Sequence, residues 1–323
     1  MGRSLSLNAE VAGLELGHPV LNGSGTFDAI AALRAFGPDL LEQFPFSAFV
    51  SKTITLAPRE GNPPPRLWEA PAGMINSIGL PNKGLEGFIA QDLPVLATLP
   101  VPLVVSVAGF SYEEFALLVE AVAAEEPVVA LELNVSCPNV KSGCVMGAEP
   151  HETLALLERL RPLTSKPLIV KLTPNATDVG AVAEAAERGG ADALSLINTL
   201  RSVAIDPATG RPWLGAGSGG LSGPAVRAVA LEQVHTVAGR TGLPVIGMGG
   251  IRTGADALDF LAAGASAVAV GTENFRDPAA ARRVREELES LARKRGVQGV
   301  GDLAGTRARR KKASQMQVKS QPA

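Results

Sequence analysis

The chain of 323 residues is poor in the groups that usually announce chemistry: two cysteines, three histidines and only 4% aromatic side chains. Two thiols cannot staple a secreted scaffold, and they cannot hold an iron–sulfur cluster, which takes four. A reduced, cytosolic compartment is therefore expected. His18, His151 and His235 fall before the first long strand, at a helix start and within a helix. No Ser-His-Asp triad and no histidine metal site is expected from them. No apolar run reaches the roughly 18 residues of a membrane span, and the N-terminus has no apolar signal core.

Charge is scarce too, at 19% against 46% hydrophobic residues, which is the balance of a folded chain. The net charge of −2 hides an asymmetry. From Arg307 onward there are six basic residues and no acid, so the preceding body stands near −8. An acidic body does not suit a nucleic acid. The chain divides into a folded unit, 1–306, and a basic tail, 307–323, whose lack of apolar periodicity suggests a solvated extension.

Glycine is plentiful, at 35 residues, and follows no fixed period. Eight short β-branched runs recur: Val20–Gly25, Ala48–Thr55, Leu103–Gly109, Val129–Cys137, Pro167–Pro174, Ala191–Thr199, Pro244–Gly250 and Ala267–Thr272. Between them, Tyr112–Glu126, Thr153–Leu163, Asp178–Arg188 and Ala255–Ala263 carry apolar residues at helical spacing. Eight alternating units of this kind predict an α/β fold, a TIM (β/α)8 barrel. Leu5–Leu16 reads as a small hairpin beneath it. The connections after the second and sixth strands, 58–99 and 201–243, are too long for simple crossovers. They should leave from the C-terminal rim as lids over a site.

The strand ends hold the polar groups. Lys52 and Thr53 end the second strand, Asn134, Ser136 and Cys137 the fourth, Lys171 the fifth, and Asn198 and Thr199 the sixth. An unpaired ammonium in an apolar strand is very costly, so two lysines near one rim point to a site for anionic atoms. Asn134 and Asn198 suit the amide edges of a heterocycle. Cys137, in a Ser-Cys-Pro turn, is the reactive candidate; Cys144 lies in a glycine-rich loop and reads as incidental. Gly249, Gly250, Gly271 and Thr272 close the last two strands, where this barrel commonly binds phosphate. Gly215, Gly217 and Gly220 match a dinucleotide fingerprint by letter only, because no strand precedes them and no acid follows at the required distance.

Taken together, NGSGTF, SKTIT with PREGNPPPR, MINSIGLPN, LNVSCPNVK, VKLTPN, INT, GGLSG, PVIGMGGI and GASAVAVGT resemble class 1 dihydroorotate dehydrogenases over roughly residues 5 to 300. The resemblance implies an FMN enzyme of pyrimidine biosynthesis that oxidises dihydroorotate to orotate. It implies that Ser24, Lys52, Thr53, Ser106, Asn134, Lys171, Ile197, Gly223, Gly249, Gly250, Gly271 and Thr272 hold FMN. Lys52, Asn76, Ser77, Ile78, Gly79, Leu80, Asn134, Asn198 and Thr199 would hold the substrate, and Cys137 would be the catalytic base. NVK followed by Ser142-Gly143, and GMINSIGL, look like the NAD-linked type, whose homodimeric core joins an FAD and iron–sulfur subunit in a heterotetramer. Ser106, Cys144 and Met146 stand where that type usually has Asn, Gly and Phe. The alternatives are a fumarate-linked homodimer and, from another class, a tRNA-dihydrouridine synthase, whose Cys-Pro turn lies at a similar point. The orotate-like GNPPPR and INT segments, and the lack of a sizeable C-terminal helical domain, weigh against the latter.

Overall fold

The computed structural model describes residues 6–136, 145–297 and 299–303. Cys137, Cys144 and the basic tail lie outside them. The first two strands, β1 (Ala9–Val11) and β2 (Leu14–Leu16), form the expected hairpin. Its two-residue turn puts Ala12 at φ 53° and Gly13 at φ 77°. A tight hairpin of this twist requires positive φ at both central positions. Val11 and Leu16 pack with Leu21, Val50, Val104, Ala130 and Ile169, so the hairpin plugs the barrel floor. His18 follows it; burial pushes its imidazole down to about 4, with Arg285 adding to the shift, so at neutral pH it is an uncharged floor residue.

The chain continues through β3 (Val20–Asn22), β4 (Phe49–Val50), β5 (Leu67–Ala70), β6 (Gly73–Asn76), β7 (Leu103–Val107) and β8 (Val128–Asn134). It ends with β9 (Leu168–Lys171), β10 (Ala193–Leu196), β11 (Leu200–Ser202), β12 (Gly219–Ser222), β13 (Val245–Met248) and β14 (Ala267–Val270). Eight of these pair in parallel in the order β3-β14-β13-β10-β9-β8-β7-β4. The remaining gap, between β3 and β4, is closed differently. Ser47 N donates to Val20 O at 3.0 Å, and the buried Asn22 amide grips Val50 through two bonds of 2.8 Å, one to its C=O and one from its N–H. A side chain completes the ring.

Helices cover the outside where the apolar periodicity placed them. Tyr112–Ala124 starts at Ser111, Val179–Arg188 at Asp178, and Gly254–Ala263 at a Thr253/Asp256 capping box. Inside, strand alternation stacks layers. Val104, Ala130, Ile169 and Ala193 form an apolar layer. Two residues further along the same strands, Ser106, Glu132, Lys171 and Ser195 form a buried polar one. The barrel therefore changes from oil to charge within one step of the pleat.

The two long connections do more than the sequence suggests. Instead of separate lids they supply one four-stranded antiparallel sheet, ordered β11-β12-β6-β5, across the C-terminal side. Gly219 and Gly220 in β12 are needed for closeness: added Cβ atoms would collide with Asn76 O and with the Thr199 side chain. Trp68 and Trp213 pack edge to face at 5.1 Å, one from each connection. Gly215 N donates to Pro65 O, so this stretch helps build the rim.

Candidate active site

The polar layer is one connected network. Glu132, 2% exposed, accepts from Ser106 Oγ at 3.2 Å and Ser195 Oγ at 2.9 Å. Its Oε1 lies 3.6 Å from Lys171 Nζ. Ser106 also shares a 2.9 Å bond with Thr53, and Thr53 one of 3.2 Å with Ser24. Asn134 Nδ2 reaches Thr53 at 3.4 Å. Asn198 Nδ2 then donates to Asn134 Oδ1 at 3.1 Å and Ser136 Oγ at 2.8 Å. Predicted residues from six strand ends are thus in mutual contact. Glu132, which the sequence reading missed, stands at their base.

The two lysines are not equivalent, contrary to the expectation of two buried strand lysines. Strand β4 stops at Val50, so Lys52 projects from the loop and is exposed at the mouth. Loss of water among its neighbours, reinforced by Arg66 and opposed by Asp28, lowers its pKa. Lys171 is still on β9 and buried. Its ammonium has no hydrogen-bond acceptor among the described residues, only the Glu132 charge. Its side chain keeps 8% exposure, so the ammonium opens towards the mouth with hydrogens to spare, which an anionic or carbonyl edge of a flavin would take up.

A second cluster forms from the glycine turns. Gly249 and Gly250 have φ of 132° and 79°, and Gly223 has φ of 90°. A Cβ on Gly250 would fall 2.8 Å from Gly223 O, one on Gly223 3.6 Å from Thr272 Cγ2, and one on Gly249 3.3 Å from Ile197 Cγ1. The turns after β12, β13 and β14 therefore meet. Among the described residues no protein acceptor takes the N–H of Gly250, Gly271 or Thr272. Unused backbone donors on two neighbouring turns, after β13 and β14, fit a phosphate.

The predicted substrate loop is held separately. Ser77 N donates to Arg66 O at 2.8 Å, Asn62 N to Ile78 O at 3.0 Å and Asn62 Nδ2 to Ser77 Oγ at 2.9 Å. Gly79 and Leu80 both take positive φ, 76° and 56°. For leucine that conformation is strained, and such strain concentrates at ligand clamps. Asn76 Nδ2 bonds Gly220 O at 3.2 Å, and Gly220 abuts Thr199, joining this loop to the sixth barrel strand. A cavity of about 550 Å³ lies beside the mouth, lined by Gly25, Phe27, Lys52, Arg59, Pro81 and Phe275 among others. Lys52 lines it, whereas Lys171, Asn134 and Asn198 do not.

The dihydroorotate dehydrogenase family pattern matches residues 6–292. The chain belongs to that family. It is 48% identical over 296 residues to the dihydroorotate dehydrogenase B (NAD(+)) catalytic subunit of Desulforudis audaxviator, covering 91% of this chain and 95% of that one. The correspondingly named subunit of Geotalea uraniireducens is 46% identical over 300 residues, covering 93% and 97%. Among solved structures, the crystal structure of DHODH in complex with ferulenol from Eimeria tenella superposes with a TM-score of 0.75 at 25% identity, covering 94% of this chain and 89% of that one. Dihydroorotate dehydrogenase membership implies a flavin cofactor, and it leaves the tRNA-dihydrouridine synthase alternative without support. Among the described residues no helix is long and apolar enough to cross a membrane.

Proposed function

We propose that this chain is the FMN-containing catalytic subunit of an NAD-linked dihydroorotate dehydrogenase, acting in the cytoplasm. The observation that carries the reading is the pairing, on one barrel mouth, of a buried ammonium without an acceptor and a cradle of unused backbone donors. They match the ring and the phosphate of one flavin nucleotide. When bound, FMN supplies an acceptor for the hydride on C6 of dihydroorotate.

The residues around it divide the remaining work. Gly223, Gly249, Gly250, Gly271 and Thr272 hold the phosphate, with Ile197 packed against Gly249. Lys171 would stabilise the negative charge that the ring gains on reduction. Ser24, Thr53, Ser106 and Asn134 fix the ring's polar edge. The substrate is a planar anion with two amide-like edges. Lys52 meets its carboxylate, while Asn76, Asn134, Asn198 and Thr199 read the ring, and Ser77 to Leu80 form the clamp. Cys137, outside the described residues, takes the C5 proton. Two cysteines cannot carry a cluster, so electrons reach NAD only through a partner subunit with FAD and a [2Fe–2S] centre, on a homodimeric core.

The test is an acceptor assay. The isolated chain should be yellow and be reduced by dihydroorotate, yet it should transfer nothing to NAD until an iron–sulfur flavoprotein partner is added. Fast turnover with fumarate alone would assign it instead to the fumarate-linked homodimers. NAD reduction without a partner would defeat both versions.

Binding should also report Lys52. Its pKa is lowered, so the ammonium that meets the carboxylate is lost at a lower pH than for a free lysine. Orotate affinity should be full below that point and fall as pH rises through it, while uracil, which has no carboxylate, binds weakly throughout. Spectral titration of the flavin with both ligands from pH 6 to 10 checks this. Equal pH dependence for the two would remove Lys52 from the carboxylate.

A further inference from the structure

We propose that Glu132 is a positioning residue for Lys171: it anchors the buried ammonium as its counterion without consuming its hydrogens. The role assigned to Lys171 rests on the function proposed above; the pairing itself does not. The contact distance carries the argument. At 3.6 Å, Nζ and Oε1 are within ion-pair range but beyond a hydrogen bond. Both carboxylate oxygens are already occupied from the sides, by Ser106 Oγ and Ser195 Oγ. The two hydroxyls hold the carboxylate in the strand layer, so it balances Lys171 electrically from below and leaves its N–H groups for a ligand above. Removing either partner of such a buried pair leaves the other charge uncompensated, which is costly. A carboxylate free to swing upward would take the hydrogens itself.

Ser106 acquires a purpose in this arrangement. A longer Asn at this position would place an amide where the short hydroxyl now bridges Thr53 and Glu132. Serine ties the carboxylate to the hydrogen-bonded chain that ends at Ser24. The support beneath Lys171 therefore runs through Ser106 in this chain.

A double-mutant cycle separates this role from simple packing. Wild type, Glu132→Gln, Lys171→Met and the double variant are compared in two ways. Sulfite is the probe for flavin-loaded protein: its sulfur lone pair forms a bond to flavin N5, and the electron pair displaced from the ring leaves negative charge at the N1–C2 edge. Glu132→Gln should weaken sulfite binding about tenfold when Lys171 is present, and by less than about twofold in the Lys171→Met background. Ser195→Ala, which frees one carboxylate oxygen but keeps both charges, should give an intermediate loss. Sulfite binding that is unchanged or tighter in Glu132→Gln, or a tenfold loss that persists without Lys171, would overturn the proposal.

The second readout needs no flavin. In the apoprotein either single variant strands a buried charge, so the double variant should melt above Lys171→Met alone. Equal destabilisation by Glu132→Gln in both backgrounds would overturn the pairing. A yellow protein that fails to oxidise dihydroorotate would refute the functional reading while leaving both cycles interpretable.

Discussion

Replacing Gly250 with leucine should give a folded but colourless protein. Two independent features forbid a side chain there. The backbone sits at φ 79°, where a branched L residue is strained. An added Cβ would also come within 2.8 Å of Gly223 O and 2.9 Å of Arg227 Cβ. Gly223 O is backbone, so the turn after β13 must move away from the turn after β12. That motion breaks the convergence on which the phosphate cradle depends, while the strands beneath remain paired. The expected result is loss of FMN from the purified chain, with helical circular dichroism retained. Full flavin occupancy, read from the visible spectrum and phosphate analysis, would place the phosphate elsewhere.

Cys137→Ser should bind FMN and orotate normally and reduce its flavin about 10²- to 10⁴-fold more slowly near neutral pH, the usual range for removing a general base. A free thiol titrates near 8.5, whereas a serine hydroxyl does not ionise at these pH values. The variant's rate should therefore recover as hydroxide takes over at high pH. Its neighbour Ser136 holds Asn198, which helps keep the ring-reading amides in place when only the sulfur is changed. Single-turnover reduction by dihydroorotate is the measurement. An unchanged rate at pH 7 would remove Cys137 from the chemistry.

The barrel was legible because its signals are local. Each strand is a β-branched run, and Ser111, Asp178 and Thr253 mark helix starts within a few residues of sequence. The glycine turns were legible for the same reason. The rim sheet was not. Asn76 and Gly220 are 144 residues apart, and β12 reads GGLS, with no apolar alternation to announce a strand. Its partners are chosen by close backbone approach, which leaves little trace in side chains. Glu132 was missed for a different reason. In VVALELN it looks like a stray acid in an apolar run, yet it shares parity with Ala130 and Asn134. Counting faces along that strand puts a carboxylate inside the barrel, directly below the asparagine. The difference between Lys52 and Lys171 was likewise hidden, because it depends on where each strand stops.

The side-chain joint between β3 and β4 makes one buried residue answerable for the closure of the ring beneath Lys52. Elsewhere around the ring, neighbouring strands are held by backbone ladders, but here the Val50 N–H is protected by the Asn22 amide. Loss of the Asn22 amide would remove two bonds at once and leave Ser47, through its N–H and Oγ, as the link from β4 to Val20. The same two strands run directly up to Gly25 and Lys52, where a Cβ on Gly25 would be 3.9 Å from Lys52 Cγ. A ligand that engages Lys52 would thus bear on the one strand pair of the ring that depends on a buried side-chain amide.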